Sequence, residues 1–253
     1  MMTTHHQPPL VLTIAGSDTS AGAGIQADTK TVGACGAYAL SAITAITAQD
    51  TDGVKSVWPV LPEQLQTQIR CALSFSPASI NIGMLGNAAL VNVVAAALDE
   101  YPTIPLILDT VIRSSSGAAL LDVEGVSALK ERLLPHATLI TPNRQEARTL
   151  FGSEDEKTLQ HWVRDTGVAI LLTGGDSELT TAGEPRFCTD IFIQKEQIEH
   201  LTLPRIETRN SHGTGCTLTA AIASFIEHGF PLPEAIQLAR RFVQQALIGA
   251  QHQ

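Results

Sequence analysis

Runs of apolar, strand-like residues alternate with helix-patterned segments along almost the whole chain, and this alternation constrains the fold more than any other feature. The predicted strands are Leu10–Ala15, Ala39–Ala48, Ser79–Gly83, Leu106–Asp109, Thr138–Thr141 and Ala169–Leu172. The predicted helices are Ile25–Cys35, Pro62–Leu73, Ala88–Glu100, Gly125–Leu134 and Thr158–Asp165. Alternation of this kind predicts an α/β fold, with a mainly parallel central sheet and helices on both of its faces.

The C-terminal third departs from this pattern. Phe187–Ile193 and Glu199–Leu203 have the pattern of a small hairpin with a polar turn between them. Two helices then follow each other, Thr217–Glu227 and Pro233–Gly249, with no strand between them. No repeat or long linker divides the chain, so we expect one domain over residues 10–253 after a disordered tail at residues 1–9.

Composition narrows the range of partners. The formal charge of −9 argues against nucleic acid and anionic membranes, because both favour basic surfaces. The four cysteines are scattered and form no C-x-x-C pair, so the sequence indicates neither a zinc site nor a disulfide framework. The N-terminus lacks the apolar core of a secretory signal, and no apolar run approaches the roughly 18 residues that span a bilayer. We therefore expect a cytoplasmic protein.

Small polar clusters follow several predicted strands. Because parallel strands end at one edge of the sheet, where α/β proteins bind ligands, we expect these clusters to meet. They are Gly16-Ser17-Asp18, Gln49-Asp50, Gly83-Met84-Leu85, Asp109-Thr110, Thr141-Pro142-Asn143 and Thr173-Gly174-Gly175.

The segment Asn210–Thr217, with the sequence NSHGTGCT, leads directly into a predicted helix. Its two glycines allow a tight turn, and the N–H groups and dipole at a helix start attract anions such as phosphate. Cys216 lies in this positive field, which predicts a lowered pKa for its thiol. The segment therefore favours phosphoryl transfer to a small hydroxyl-bearing molecule. The alternative is structural: glycines that serve tight packing, and a cysteine that acts as a small buried apolar residue.

A dinucleotide-binding protein is the first competing interpretation. Gly22-x-Gly24-x-x-Ala27 matches the fingerprint of such proteins. However, the fingerprint glycine should follow the strand directly, and the acidic residue expected at the end of the second strand is missing. The chain also lacks the G-x-x-x-x-G-K-[ST] sequence, which excludes a Walker-type site.

Other polar residues have both a structural and a functional interpretation. Asp28 suits the start of a helix electrostatically, and it is also placed to bind a substrate hydroxyl or ring nitrogen. Asn143 and Glu146 lie one turn apart, as in a capping box, and their oxygens also suit water-mediated Mg²⁺. The segment Thr173–Gly175 is either a plain turn or a close approach of backbone to a nucleotide.

Taken together, these motifs resemble the hydroxymethylpyrimidine/phosphomethylpyrimidine kinase family of thiamine biosynthesis. The resemblance covers residues 10–247 in the family's order. It rests on TIAGSD (residues 13–18), GAGIQAD (22–28), ITAITAQ (43–49), IGML (82–85), LDTV (108–111), LITPN (139–143) and HGTGCT (212–217).

This resemblance implies a three-layer ribokinase-like fold and ATP- and Mg²⁺-dependent phosphorylation of 4-amino-5-hydroxymethyl-2-methylpyrimidine, together with a homodimer. It implies pyrimidine contacts from Gly16, Asp28, Gln49, Met84 and Val111. The implied catalytic anion hole comprises Gly213, Thr214, Gly215 and Cys216, with Cys216 in the place where related sugar kinases carry an aspartate base. The residues implied for ATP, phosphate and Mg²⁺ are Asp109, Asn143, Glu146, Thr173, Gly174, Gly175 and Arg240, with Asp109 and Glu146 nearest the metal.

The chain also departs from the family pattern, chiefly at lysines. Arg113-Ser-Ser-Ser-Gly117 replaces the frequent A-K-S-G sequence, Thr173 replaces the lysine before the glycine pair, and Arg240 replaces a lysine in the last helix. The family adds a second phosphoryl group to its product; these losses of cationic phosphate contacts leave that step open. A pyridoxal or pyridoxine kinase and a non-catalytic pyrimidine-binding protein stay open as alternatives.

Overall fold

A computed structural model describes residues 8–50, 53–114, 117–174, 187–208 and 212–250 of the chain. Its strands are β1 (Leu10–Ser17), β2 (Tyr38–Asp50), β3 (Gly53–Pro59), β4 (Ser79–Ile82), β5 (Leu106–Leu108), β6 (Leu139–Ile140), β7 (Ala169–Leu172), β8 (Phe187–Ile193) and β9 (Ile198–Pro204). Its helices are α1 (Gly24–Ala34), α2 (Pro62–Leu73), α3 (Ala88–Leu98), α4 (Val123–Ala128), α5 (Arg144–Phe151), α6 (Glu156–Thr166), α7 (Thr214–Glu227) and α8 (Leu232–Ala250). Residues 1–7 of the expected N-terminal tail lie outside the described residues.

The strands form one nine-stranded sheet in the order β3-β2-β1-β4-β5-β6-β7-β8-β9. From β2 to β7 all neighbours are parallel. The hairpin of β8 and β9 adds two antiparallel strands at one side, and β3 adds one at the other. The α/β architecture and the hairpin predicted from the sequence are confirmed.

Apolar side chains cover both faces of the sheet, which explains why the parallel strands have mainly apolar sequences. Along β1, Leu12 and Ile14 point into one core and Val11 into the other. The first core is closed by α2, α3, α4, α5 and α6, and the second by α1, α7 and α8. The carboxyl ends of the parallel strands therefore lie between two packed helix layers.

Besides shifts of one or two residues at the ends of other elements, the structure differs from the sequence prediction at three notable places. Strand β3 was not predicted, because it is a half-exposed edge strand without a clear apolar alternation. The helix predicted at Gly125–Leu134 begins two residues earlier, and α4 continues into a wider turn at Leu129–Leu133. Helix α7 begins at Thr214 rather than Thr217, which places Cys216 inside its first turn.

Arg240 joins three elements near the end of the sheet. Its Nε donates to the Asp190 carboxylate on β8 at 2.7 Å, and its Nη2 donates to the Leu201 carbonyl on β9 at 2.6 Å. Asp190 also accepts from the Gly174 N–H after β7 at 2.8 Å. The Arg240 guanidinium is thus buried and engaged in an ion pair that fixes the hairpin and the loop after β7, and its predicted contact with phosphate stays a prediction.

Removing one partner of this buried pair is expected to be costly. Arg240→Met should lower the free energy of unfolding by about 3–5 kcal/mol, because it leaves the Asp190 carboxylate buried without its cation. Arg148→Met is the matched control, since Arg148 pairs with Glu154 on the surface. The control should change stability by about 1 kcal/mol or less. Urea titration measures both; equal losses would contradict this account of the pair.

Candidate active site

A cleft of about 860 Å³ opens at the edge where the parallel strands end. This volume is typical of small-molecule sites. The predicted site residues that line it are Gly16, Gln49, Met84, Asp109, Val111, Asn143, Glu146, Thr173, Gly213, Thr214, Gly215, Cys216 and Arg240. Within the described residues, Asp28 and Gly174 stand outside the lining, whereas Gly175 lies outside the described part of the chain.

The start of α7 forms one wall of the cleft. Gly213 caps the helix with a φ of 78°, in the left-handed region, and offers no side chain to the first-turn N–H groups. A Cβ at this position would lie 1.9 Å from the carbonyl oxygen of Gly22, so only glycine fits so close to the loop after β1. The N–H groups of a helix's first turn have no partner within the helix, and here that turn faces the cleft. This wall has the chemistry of an anion site.

The prediction of a lowered pKa for Cys216 is wrong for the ligand-free protein. Burial raises the pKa of the thiol well above its ordinary value, and the charges of Asp28 and Asp109 raise it further. Hydrogen bonds from the N–H groups of Gly24 and Cys216 itself act in the opposite direction but do not prevail. The sequence indicated a helix start near Cys216, but it did not show that two acidic residues from distant segments approach the same sulfur.

Asp28 lies on α1 and is only 1% exposed. Its Oδ2 accepts from the Thr13 hydroxyl at 2.5 Å, while its Oδ1 has no hydrogen-bond partner among the described residues. Burial raises the pKa of Asp28 to about 7, against the lowering effect of hydrogen bonds from Thr13 and Asn81. Because Asp28 does not line the cleft, its predicted contact with a ligand stays a prediction; its charge acts on Cys216 and Asp109.

Asn143 and Glu146 form the predicted capping box at the start of α5. The Asn143 side chain accepts from the Glu146 N–H at 2.9 Å, and the Glu146 carboxylate accepts from the Asn143 N–H at 3.0 Å. Glu146 also accepts from the Thr110 hydroxyl at 3.3 Å and from the Ile112 N–H at 3.4 Å. These bonds hold a nearly buried carboxylate at the edge of the cleft.

Asp109 faces both this carboxylate and the start of α7. Its Oδ2 lies 3.4 Å from the position that a Cβ would occupy at Gly215. Burial raises the pKa of Asp109 well above its ordinary value, and the charges of Glu146 and Asp28 add to the effect. A cation beside Asp109 and Glu146 would relieve this repulsion. No group of three or more metal-binding side chains occurs among the described residues. The two carboxylates carry the oxygen ligands that Mg²⁺ prefers.

The glycine-rich loop after β1 is closed by its own aspartate. The buried Asp18 carboxylate accepts from the N–H groups of Ser20, Gly22 and Ala23 at 2.8–3.1 Å, and from the Ser20 hydroxyl. Burial opposes ionisation, but these bonds and one from His212 outweigh it and lower the pKa of Asp18. The loop N–H groups that a dinucleotide pyrophosphate would need are thus already occupied, which argues against the dinucleotide-binding interpretation.

Two residues of the lining were given no role by the sequence reasoning. Asp18 and His212 lie at 3.0 Å from each other, and the His212 ring also lies 2.8 Å from the Gln49 amide. Their positions in the sequence could have indicated that they line the cleft, since Asp18 follows a strand and His212 precedes Gly213 at the start of α7. An apolar wall formed by Leu203, Ile206, Val243 and Leu247 was also missed, because it combines a hairpin strand with the last helix.

The chain is similar in sequence to a group of known kinases. A family model described as phosphomethylpyrimidine kinase matches residues 18–253. The hydroxymethylpyrimidine/phosphomethylpyrimidine kinase of Escherichia coli is 40% identical over 244 residues, which is 94% of this chain and 91% of the relative. The thiamine biosynthetic bifunctional enzyme of Arabidopsis thaliana is 40% identical over 94% of this chain. The chain spans about half the length of such bifunctional relatives, 46% in this case.

Solved structures of two kinases superimpose closely on this chain. A phosphomethylpyrimidine kinase from Clostridium difficile superimposes with a TM-score of 0.80 at 33% identity, covering 94% of this chain and 99% of that one. The pyridoxal kinase from Staphylococcus aureus, in complex with AMP-PCP and pyridoxal, superimposes with a TM-score of 0.82 at 30% identity, covering 95% of this chain and 88% of that one.

No helix within the described ranges has the length and apolar character that a membrane crossing requires.

Because the pKa of Asp28 is raised in the folded protein, we expect the free energy of unfolding to depend on pH. A folded-state pKa of about 7, against an ordinary 3.8, means that the folded protein holds this proton more tightly than the unfolded chain. The resulting stabilisation is complete below pH 3.8 and is lost as pH rises towards 7. Between pH 5 and pH 7 the wild type should lose about 2 kcal/mol relative to Asp28→Asn, which does not titrate. Urea unfolding of both proteins at several pH values measures this difference; a constant difference would show that Asp28 is ionised throughout.

Proposed function

The chain belongs to the phosphomethylpyrimidine kinase family, and we propose that it transfers the γ-phosphoryl group of ATP to the hydroxymethyl oxygen of 4-amino-5-hydroxymethyl-2-methylpyrimidine, a step of thiamine biosynthesis. The observation that carries this proposal is the first turn of α7, which presents N–H groups to the cleft beside Cys216. A transferring phosphoryl group needs such donors, because its catalysis consists largely of positioning and charge stabilisation.

The anion hole is proposed to comprise Gly213, Thr214, Gly215 and Cys216. Their backbone N–H groups donate hydrogen bonds to the equatorial oxygens of the transferring group and so stabilise the negative charge that develops there. The donors are fixed before the reaction, since Gly213 is held against the loop after β1. The helix dipole adds partial positive charge at the same point.

Cys216 is proposed as the acceptor of the hydroxyl proton. Its raised pKa makes the thiolate scarce in the ligand-free protein but strongly basic where it forms. Asp109 and Glu146 would hold Mg²⁺ bound with ATP, whose positive charge would offset the carboxylates and the phosphates. The Cys216 thiol would then release its proton to solvent before the transfer, and the N–H groups of Gly24 and Cys216 would stabilise the thiolate that accepts the hydroxyl proton.

The pyrimidine is proposed to lie against Gly16, Met84 and Val111, with Gln49 at its polar edge. A Cβ at Gly16 would lie 2.9 Å from the Met84 sulfur, so the two residues leave a flat, tightly packed wall. The Gln49 amide offers a donor and an acceptor together, which matches the ring nitrogen and amino group of the substrate. Asp28 contributes through charge from outside the lining.

ATP is proposed to occupy the rest of the cleft, near Thr173 and the apolar wall of Leu203, Ile206, Val243 and Leu247. Asn143 and Glu146 hold the edge at which the phosphates and metal meet. Arg240 acts indirectly: through Asp190 it fixes the N–H of Gly174. Formation of a homodimer and a cytoplasmic location stay predictions of the sequence.

The proposal includes a second transfer, to the phosphate of the first product. The lysines frequent in the family are absent, but Arg113 and Arg205 line the cleft and supply cationic side chains for an anionic substrate. A pyridoxal kinase activity is the second candidate, since a structural neighbour binds pyridoxal in the same fold.

A direct test is an ATP-consumption assay with the hydroxymethyl pyrimidine, its phosphate and pyridoxal, measured side by side. The proposal predicts the highest kcat/KM for the hydroxymethyl pyrimidine and a measurable rate on its phosphate. A higher kcat/KM for pyridoxal would favour the second candidate. Tight binding of the pyrimidine without consumption of ATP would mean that the protein is a non-catalytic pyrimidine-binding protein.

Gly213 provides a prediction with a matched control. Gly213→Ala should lower kcat by about a hundredfold or more, because the added Cβ would displace the first turn of α7 and its N–H donors. Gly229→Ala is the control: Gly229 also has a positive φ, 88°, but nothing lies within 4 Å of its added Cβ. Both variants bear the strain of a positive φ, yet only the first should lose turnover. Equal effects in steady-state assays would remove the anion hole from the account.

A further inference from the structure

His212 contacts two residues of the cleft with a single ring nitrogen. Its Nε2 lies 3.0 Å from Oδ2 of Asp18 and 2.8 Å from Nε2 of Gln49. The ring is one-third exposed at the cleft, and its Cδ2 lies 2.7 Å from the position of a Cβ at Gly22. The ring therefore packs against the backbone of Gly22, which restricts its orientation. The phosphoryl transfer proposed above gives His212 no role.

The two contacts make opposite demands on this nitrogen. A carboxylate accepts hydrogen bonds, whereas the NH₂ group of an amide donates them. A ring nitrogen that donates to Asp18 carries a hydrogen, so it has no lone pair in the ring plane for the Gln49 NH₂ group. Only one of the two contacts is a hydrogen bond with the amide in this orientation.

The hydrogen bonds around Asp18 show which of the two contacts is the hydrogen bond. Its carboxylate already accepts from the N–H groups of Ser20, Gly22 and Ala23 and from the Ser20 hydroxyl. Four donors within the same loop stabilise the charged form of this side chain, so it is an ionised acceptor. The hydrogen in the contact with His212 therefore lies on the ring, at Nε2, and the ring is the donor.

Gln49 must adapt to this donor. A half-turn of the amide exchanges oxygen and nitrogen, which are nearly equal in size, and brings Oε1 against the ring N–H. The NH₂ group then turns towards the cleft. The oxygen keeps a second lone pair, so it can accept from His212 and from a ligand at once.

We propose that His212, held by Asp18, is a positioning residue that fixes the amide orientation of Gln49 and thereby the hydrogen-bond pattern that the cleft recognises. With this orientation the amide donates to a ring nitrogen and accepts from an adjacent exocyclic amino group. It selects an aminopyrimidine over the 4-oxo pyrimidine, in which the ring nitrogen carries a hydrogen and the exocyclic atom is an acceptor. The inference rests on the proposed function, in which Gln49 contacts the pyrimidine.

The experiment compares kcat/KM for 4-amino-5-hydroxymethyl-2-methylpyrimidine with that for its 4-oxo analogue, which has the same hydroxymethyl group. His212→Phe keeps the ring that packs on Gly22 and removes both nitrogens. Without the ring N–H the amide can turn over and match the oxo compound. The amino-to-oxo ratio should fall by about tenfold or more, with the larger share in KM. His212→Gln, which places an amide donor near the same point, should restore most of the ratio.

A double-mutant comparison separates positioning from a general structural role. In a Gln49→Ala background, replacing His212 by Phe should leave the ratio unchanged, because no amide is left to orient. A ratio that stays at its wild-type value in His212→Phe overturns the inference. So does a ratio that falls equally in the presence and absence of Gln49. If His212→Phe does not fold, as judged by thermal unfolding, His212→Ala takes its place in the same comparison.

The outcomes also distinguish this inference from the proposed function. If the wild type phosphorylates neither compound, the proposed function is wrong, and the same variants are compared through calorimetric dissociation constants of the two pyrimidines. A binding ratio that falls in His212→Phe still supports the inference. An unchanged binding ratio, or binding of neither pyrimidine, overturns it. If the wild type phosphorylates the amino compound but the amino-to-oxo ratio is the same in His212→Phe, only the inference fails.

Discussion

The contact between Gly213 and the carbonyl oxygen of Gly22 is the constraint on which the rest of the site depends. It brings the start of α7, from the C-terminal part of the chain, against the loop that follows the first strand. No side chain fits between them, so the first-turn N–H groups hold a fixed position at the end of the sheet. The same approach places His212 beside Asp18 and Gln49, and Cys216 beside the N–H of Gly24. One backbone contact thus arranges both the end of the cleft proposed for the phosphoryl group and the end proposed for the pyrimidine.

The electrostatics of the cleft explain why these backbone donors matter. The protein carries a net charge of −9, and burial together with mutual repulsion raises the pKa values of Asp28 and Asp109. Such surroundings disfavour a polyanionic nucleotide. The helix start offers partial positive charge, Arg113 and Arg205 line the cleft, and the divalent cation proposed beside Asp109 and Glu146 would add to both. The ionisation of the Cys216 thiol depends on the same charges.

The sequence predicts the core of the fold well and the electrostatics of the site poorly. Strands such as Ala169–Leu172 are buried on both faces, so their apolar sequences identify them without tertiary information. The edge strand β3 is half-exposed and lacks that signal. The start of α7 was placed three residues late, because a glycine rather than a polar side chain caps it.

Two residues have surroundings that the sequence does not reveal. The buried pair of Arg240 with Asp190 was not predicted, and Cys216 was given a low pKa that burial and the charges of Asp28 and Asp109 reverse. In each case the deciding partner is distant in sequence. A motif therefore indicates which residues meet at the sheet edge, but not which charges surround them once they meet.

A crystal structure with ADP, aluminium fluoride and the hydroxymethyl pyrimidine tests this account most directly, because aluminium fluoride mimics the phosphoryl group in transit. The account predicts fluorine atoms about 2.7–3.1 Å from the backbone nitrogens of residues 213–216, with the substrate hydroxyl beside the Cys216 sulfur. A fluoride complex bound away from the start of α7, or a first turn covered by side chains, would contradict it.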